Sequence, residues 1–266
     1  DEIRAGVYRS LFNPQRLLSG SEDGGGNYAR GFYQLASQHA PRFSATLRRV
    51  AETCDLLEGV CFFHSPYKPD CISLVLQNRA IMDIYERELN VACVTYSHIN
   101  RLLAQVYSGL TAGFRFYSSL TSSLVELQTN LIPYPSMHYL MCSFYPLMSP
   151  AVYDSTTVFA FPLELTAELL LQEALSNRFQ LALGVSPIED SVMLSCALLY
   201  RGDVTPSIGC CRQPMVVIKA TGMVATPVCI TAVYNGTLVK STLTGIGNDF
   251  SALKNRKAFY YWYLYE

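Results

Sequence analysis

Charge is scarce in this chain. Only 15% of its residues are Asp, Glu, Lys or Arg, against the roughly one quarter usual for soluble domains. The 20 basic residues form no run or stripe and the net charge is −1, which excludes the footprint of a nucleic-acid-binding protein. The densest basic cluster, Lys254, Arg256 and Lys257, lies among aromatics and reads as a solvated helix face. No uninterrupted apolar run reaches the ~18 residues of a membrane helix, so no membrane partner is expected. The N-terminus, DEIRAGVYRS, has no signal-peptide core and begins abruptly, as the interior of a domain would. His64, His98 and His138 have no second ligand at metal-binding spacing, so they read as structural and no metal centre is expected. No Ser/His/Asp or Cys/His set has a credible context for nucleophilic catalysis. The nine cysteines form no CxxC pair, and adjacent Cys210 and Cys211 suit neither zinc nor an ordinary disulfide. Free thiols in a reducing compartment follow, which leaves the Asn235-Gly236-Thr237 sequon idle.

What is abundant is apolar surface: half of the 266 residues are hydrophobic. That is enough for one large core or two modest ones. Low charge suits a large monomer core and a subunit covered by neighbours equally. Residues 1–20 read as helix or loop, and SGSEDGGGN (19–27) as a tight loop, since three consecutive glycines after two acids cannot be regular structure. Helices are predicted from Tyr28 to about Gln38 and over 42–56, with Pro41 either stopping the first or starting the second. The short apolar runs at 59–63 and 71–76 suit buried parallel strands, and a helix follows from Arg79 to about Leu89. Ile99, Leu102, Leu103, Val106, Leu110 and Phe114 recur at helical spacing, so Tyr96–Phe116 reads as a long helix packed on more than one side. After LIPYP (131–135) the runs shorten: HYLMCSFYPLM, VMLSCALLYRG, MVVIKA and VCITAVYNG, with one helical stretch at 163–175 and a final helix at 253–266. This half reads as a mixed sheet with helices.

Seven segments, in order, resemble tubulins. They are RAGVYRSLFNPQRLLSGSEDGGGNYARGFY (4–33), TCDLLEGVCFFHS (53–65), DCISLVLQNRAIMDI (70–84), TYSHINRLLAQVYSGLTAGFRF (95–116), ELQTNLIPYPSMHY (126–139), CALLYRGDV (196–204) and RKAFYYWYLYE (256–266). QTNLIPYP, LYRGDV and Glu126 lean toward the α-type, though delta-, epsilon- and zeta-type chains stay open. The resemblance implies an α/β fold of tubulin/FtsZ type: a Rossmann-type parallel-sheet GTPase domain joined by a central helix to a second, mixed-sheet α/β domain. The implied divisions are a partial nucleotide domain (1–93), the central helix (94–116), an intermediate domain (117–250) and the start of C-terminal helices (251–266).

The same resemblance implies GTP, with Mg, as the cofactor. Asp23, Gly24, Gly25, Gly26 and Asn27 match the loop facing the phosphates, where glycines would let backbone N–H groups come close; a plain turn capped by Asp and Asn is the alternative. Asn78 matches the asparagine that reads the guanine or ribose edge. Tyr96 and Asn100, four apart on one helix face, match the base-binding pair; a core tyrosine and a surface asparagine are the alternative. Glu126 matches the α-type acid that reaches the next subunit's nucleotide and positions the attacking water. Ser123 stands where the family has an aspartate, which weakens the case for full activity. The family's GGGTGSG phosphate loop should follow Ser65, but PYKPDC follows instead. The chain is then either degenerate or a sequence joining segments across stretches it does not include. The second is favoured, because a true deletion would bare apolar faces.

The implied function is that of a microtubule or related cytoskeletal subunit, stacking head-to-tail with a β-type tubulin and meeting the lattice and its associated proteins. The implied location is the cytoplasmic cytoskeleton, with axonemes or basal bodies (and so cilia) among the family's homes. GTPase activity, if present, would depend on assembly. A pseudo-tubulin scaffold without nucleotide is the second reading. An unrelated nucleotide-dependent α/β enzyme is the third, and it is disfavoured because GGGN lacks the GxGxxG spacing.

Overall fold

The computed structural model describes residues 2–57, 59–63, 72–116, 123–147, 165–182, 191–202 and 228–265. These divide into two units. The first is Asp1–Glu58 with Gly247–Glu266, and the second is Gly59–Ile246.

The second unit holds a four-stranded mixed sheet. Its strands are β1 (Ser73–Leu74), β2 (Tyr139–Tyr145), β3 (Met193–Arg201) and β4 (Cys229–Gly236), in the order β1-β2-β4-β3. β1 runs parallel to β2, while β4 is antiparallel to both β2 and β3. The runs HYLMCSFY, VMLSCALLYRG and VCITAVYNG are thus strands as expected. MVVIKA lies outside the described residues.

Side chains alternate across the sheet as the pleat requires. On one face Leu140, Cys142, Phe144 and Val233 join Ile81, Ile84 and Tyr85 of α3 (Asn78–Glu88) and Ile99, Leu102 and Val106 of α4 (Tyr96–Leu110). On the other, Ile230 and Ala232 meet Leu170 and Ala174 of α7 (Ala167–Ala174). There the Ser143 hydroxyl donates to the Ala174 carbonyl at 2.5 Å. The result is an α/β mixed sheet with helices on both faces. Burial pushes the Cys142 thiol up to about 12 and the Cys229 thiol up to about 11. Both stay protonated and inert. Cys54, Cys61, Cys93, Cys142 and Cys229 are free thiols, as the spacing implied.

Four sequence expectations change. Residues 59–63 form no strand and are exposed, and the 71–76 run contributes only the two residues of β1. An apolar run becomes a strand only where a neighbouring ladder takes its N–H and C=O groups. The edge of β2 beyond β1 goes instead to residues 180 and 181: Ser143 bridges Gln180, and the Leu181 N–H donates to the Cys142 carbonyl at 3.0 Å. The long helix breaks at Thr111, with α4 ending at Leu110 and a short α5 (Ala112–Arg115) following.

The third change lies in the first unit. Pro41 sits inside α2 (Ser37–Glu52) rather than ending it. A seven-residue π-helix, Arg30–Ala36, runs into it, so the ladder has already left i→i−4 pairing just before the proline. Ala29 is buried in this unit, but Phe43 and Leu47 of α2 are exposed. Short turns at Glu2–Ala5 (α1), Arg9–Leu11 and Pro14–Arg16 precede the glycine loop. The fourth change is at the C-terminal stretch: in place of one helix over 253–266 stand α8 (Val239–Asn255), a turn with Lys257 and Phe259 at positive φ, and α9 (Tyr261–Tyr265).

One ion cluster ties α3 to the segment after α7. Glu88, its side chain only 9% exposed, pairs with Arg87 and with Arg178, and the Arg87 guanidinium donates to the Arg178 carbonyl at 2.9 Å. The hydrogen bond from Arg178, reinforced by Arg87, holds the Glu88 carboxyl below its ordinary value despite partial burial. A carboxylate with a depressed folded pKa stabilises above its unfolded pKa, and the effect is lost as pH falls through the folded value. Urea midpoints should therefore fall on acidification through the carboxylate range, and Glu88→Gln should flatten that slope. Identical slopes in the two proteins would refute the assignment.

Candidate functional site

The glycine loop is built from local chemistry. Gly25 and Gly26 have φ of +57° and +68°, and the Asn27 N–H donates back to the Gly24 carbonyl at 2.9 Å. Two consecutive left-handed residues closed by an i→i+3 bond need glycine at both positions. An added Cβ at either would meet nothing within 4 Å, so the requirement is backbone conformation and not space. The Asp23 carboxylate accepts the Gly25 N–H at 2.9 Å, and the Asn27 side-chain oxygen accepts the Ala29 and Arg30 N–H groups at 3.0 and 3.4 Å. Asn27 thus caps the helix that follows. Both polar residues already serve the loop itself, as a plain capped turn would have them do. Glu22 pairs with Arg30 at 2.8 Å beside it.

In the second unit, Tyr96 and Asn100 lie one turn apart on the exposed face of α4, opposite the buried Ile99, Leu102 and Val106. Tyr96 is 70% exposed at the first position of the helix. The first turn is fixed by a capping box that sequence reasoning missed. The Thr95 hydroxyl takes the His98 N–H, and the His98 ring nitrogen Nδ1 accepts the Thr95 N–H at 3.2 Å. From α3, the Tyr85 hydroxyl donates to the His98 carbonyl at 2.9 Å. The available signal was the S/T-x-x-polar spacing, with histidine in place of the usual glutamate. His98 is thus structural, as expected. His138 also makes a local contact, its Nδ1 lying 3.0 Å from the Pro135 carbonyl oxygen, while His64 lies outside the described residues. Asn78 is the first residue of α3 and is exposed. α3 and α4 share one core, and the Tyr85–His98 bond joins the middle of α3 to the first turn of α4.

Glu126 is exposed in the first turn of α6 (Leu124–Leu131), where Ser123 caps the helix by accepting the Glu126 N–H at 3.1 Å. Serine therefore keeps the capping role that an aspartate could fill there, while removing its charge. Among the described residues no cluster of His, Cys, Asp and Glu could hold a metal ion, and no helix is long and apolar enough to cross a membrane.

The Asn235 sequon is occupied internally. The Asn235 side chain is buried, and its amide donates to the Leu131 carbonyl at 3.0 Å and the Met137 carbonyl at 2.7 Å. It staples the end of α6 and the LIPYP turn onto β4. The Ser195 hydroxyl adds a bond to the same Leu131 carbonyl at 2.7 Å.

No family model matches the chain. Two curated relatives align across all of it: the tubulin alpha-1 chain of Emericella nidulans at 27% identity, and the tubulin alpha-A chain of Neurospora crassa at 28%. The alignments run over 348 and 350 positions and take in 75% of each relative. They exceed the 266 residues of this chain, so each relative carries residues inside the matched stretch for which this chain has no counterpart. With the order of motifs preserved and similarity extending from one end to the other, the chain is tubulin-like, resembling α-tubulin chains along its whole length.

Proposed function

We propose that this chain is a cytoskeletal assembly subunit of tubulin type that binds GTP and stacks head-to-tail with a β-type tubulin. The observation that carries the proposal is the presentation of Tyr96 and Asn100 on one open helix face, with the first turn locked by His98 and Tyr85, in a chain similar throughout to α-tubulins. The Tyr96 ring stacks on the guanine, and the Asn100 and Asn78 amides pair with its edge or with the ribose. In the first unit, Asp23, Gly24, Gly26 and Asn27 are proposed for the phosphates and any accompanying Mg by the family resemblance alone. Glu126, in a neighbour's site, orients the water that attacks the γ-phosphate. In this reading the fold is the two-domain tubulin/FtsZ arrangement, with α4 as the central helix and divisions at 1–93, 94–116, 117–250 and 251–266. Partners are the microtubule lattice and its associated proteins, in the cytoplasmic cytoskeleton.

The test is guanine-nucleotide retention by the purified protein. Retention is expected, with Tyr96→Ala weakening it about tenfold, the scale of one lost stacking contact. Glu126→Ala should leave binding alone and slow turnover about 100-fold in the assembled polymer, as loss of one positioned base does. A protein that purifies without nucleotide and joins no filament would overturn the proposal.

A second reading, a pseudo-tubulin scaffold that engages partners without nucleotide, is favoured by the residues the relatives carry and this chain lacks. It also draws on Ser123 and on the loop missing after Ser65. Co-assembly with β-type tubulin in the absence of bound nucleotide would select it.

A further inference from the structure

The C-terminal end of α4 gathers two arginines from different elements onto one hydroxyl. The Arg115 guanidinium, from α5, donates to the Ser108 carbonyl at 2.7 Å and to the Ser108 hydroxyl at 3.1 Å, while its Nε donates to the Thr111 hydroxyl at 3.1 Å. The Arg201 guanidinium, from the end of β3, donates to the same Ser108 hydroxyl at 3.0 Å. Arg201 Nε is buried and has no hydrogen-bond partner among the described residues. Neither arginine has a carboxylate partner among the described residues.

Helix-dipole stabilisation explains only half of this arrangement. A cation near a helix C-terminus is favourable, and Arg115 satisfies that by bonding a terminal carbonyl. Arg201 reaches the hydroxyl instead, and it brings a second positive charge to the same oxygen. Two guanidinium groups at hydrogen-bond distance from one neutral acceptor repel each other. Among the described residues Arg115 keeps its Nη1 donors, and Arg201, bonded through Nη1, keeps its Nε edge, the kind of fork that matches an oxyanion bidentately. We propose that Arg115 and Arg201 form an anion site at the end of α4 that takes a small phosphate-type oxyanion. One ligand oxygen takes the Arg115 Nη1 donors and another the Arg201 Nε edge, so that Nε gains the partner it lacks among the described residues. The site involves none of the residues proposed for the nucleotide.

The test uses the full chain and inorganic phosphate as the probe. Unfolding midpoints are followed on phosphate titration against chloride at matched ionic strength, with saturating GTP present to fill the nucleotide site. A saturable rise is expected over chloride. Arg115→Gln and Arg201→Gln should each weaken the apparent phosphate affinity about tenfold or more, the scale of one charge-assisted hydrogen bond. Arg201→Lys, which keeps the charge but not the fork, should fall between. Arg115 is exposed, so its variant removes little packing and keeps the test valid if Arg201 variants fold poorly. Absence of a phosphate response in the parent protein, or an undiminished response in Arg115→Gln, would overturn the site.

Discussion

Asn235→Asp is expected to cost about 3–5 kcal/mol at neutral pH, the scale of a buried charge left without a partner. Asn235 is 2% exposed and directs both amide hydrogens at carbonyl oxygens, those of Leu131 and Met137. A carboxylate there would face two acceptors and donate nothing. Its folded pKa would lie above the unfolded value, so the damage grows as pH rises past the unfolded pKa. At lower pH the neutral acid recovers one donor, and part of the loss returns. Urea melts of parent and variant at acidic and neutral pH read this out directly. A variant as stable as the parent at neutral pH would mean that Asn235 does not hold the LIPYP turn.

Gly109→Ala separates two opposed effects. Alanine inside an exposed helix should stabilise by about 0.5–1 kcal/mol relative to glycine. At Gly109, a buried position of α4, an added Cβ would lie 2.2 Å from the Thr231 hydroxyl oxygen and 3.4 Å from Thr231 Cβ. Thr231 is itself buried on β4, so its hydroxyl must turn within a packed site, or α4 must shift, to admit the methyl. Overpacking of this kind costs about 1–3 kcal/mol and wins. The Thr231 hydroxyl has no hydrogen-bond partner among the described residues, so Thr231→Ala alone should cost little. Combined with Gly109→Ala it should restore most of the lost stability. A double-mutant cycle with no coupling would show that helix and strand are not in contact at this point.

Much of the second unit was legible in the sequence, because apolar runs of strand length and a 3–4 residue periodicity report burial directly. Tyr139–Tyr145, Cys229–Gly236 and the apolar face of α4 were all readable in this way. The run at 59–63 shows the limit: its composition suits a strand, but pairing depends on neighbours far away in sequence. Asn235 shows another. Its alternation with Val233 and Thr231 puts it on the inward face of β4, yet the sequence showed only an idle sequon and nothing of the carbonyl partners of its amide. At the candidate site, the tight loop followed from the glycine run, and the helix face shared by Tyr96 and Asn100 from their four-residue spacing. The cap supplied by His98 was missed, because histidine stands where the capping box usually has glutamate or glutamine. The pairing of Arg115 with Arg201 around Ser108 joins residues from three segments, so no local pattern announces it.

The strand order has a consequence for how the chain is made. β4 is the last strand in sequence, yet it lies between β2 and β3. Until Cys229–Gly236 has left the ribosome, the two earlier strands have no ladder joining them, and each presents an open backbone edge. Long-range closure of this kind is slow and leaves edges available to other chains. Between the completion of β3 at Arg201 and of β4 at Gly236 the nascent chain holds β2 and β3 without the strand that joins them, and that interval is when a chaperone has the most to shield.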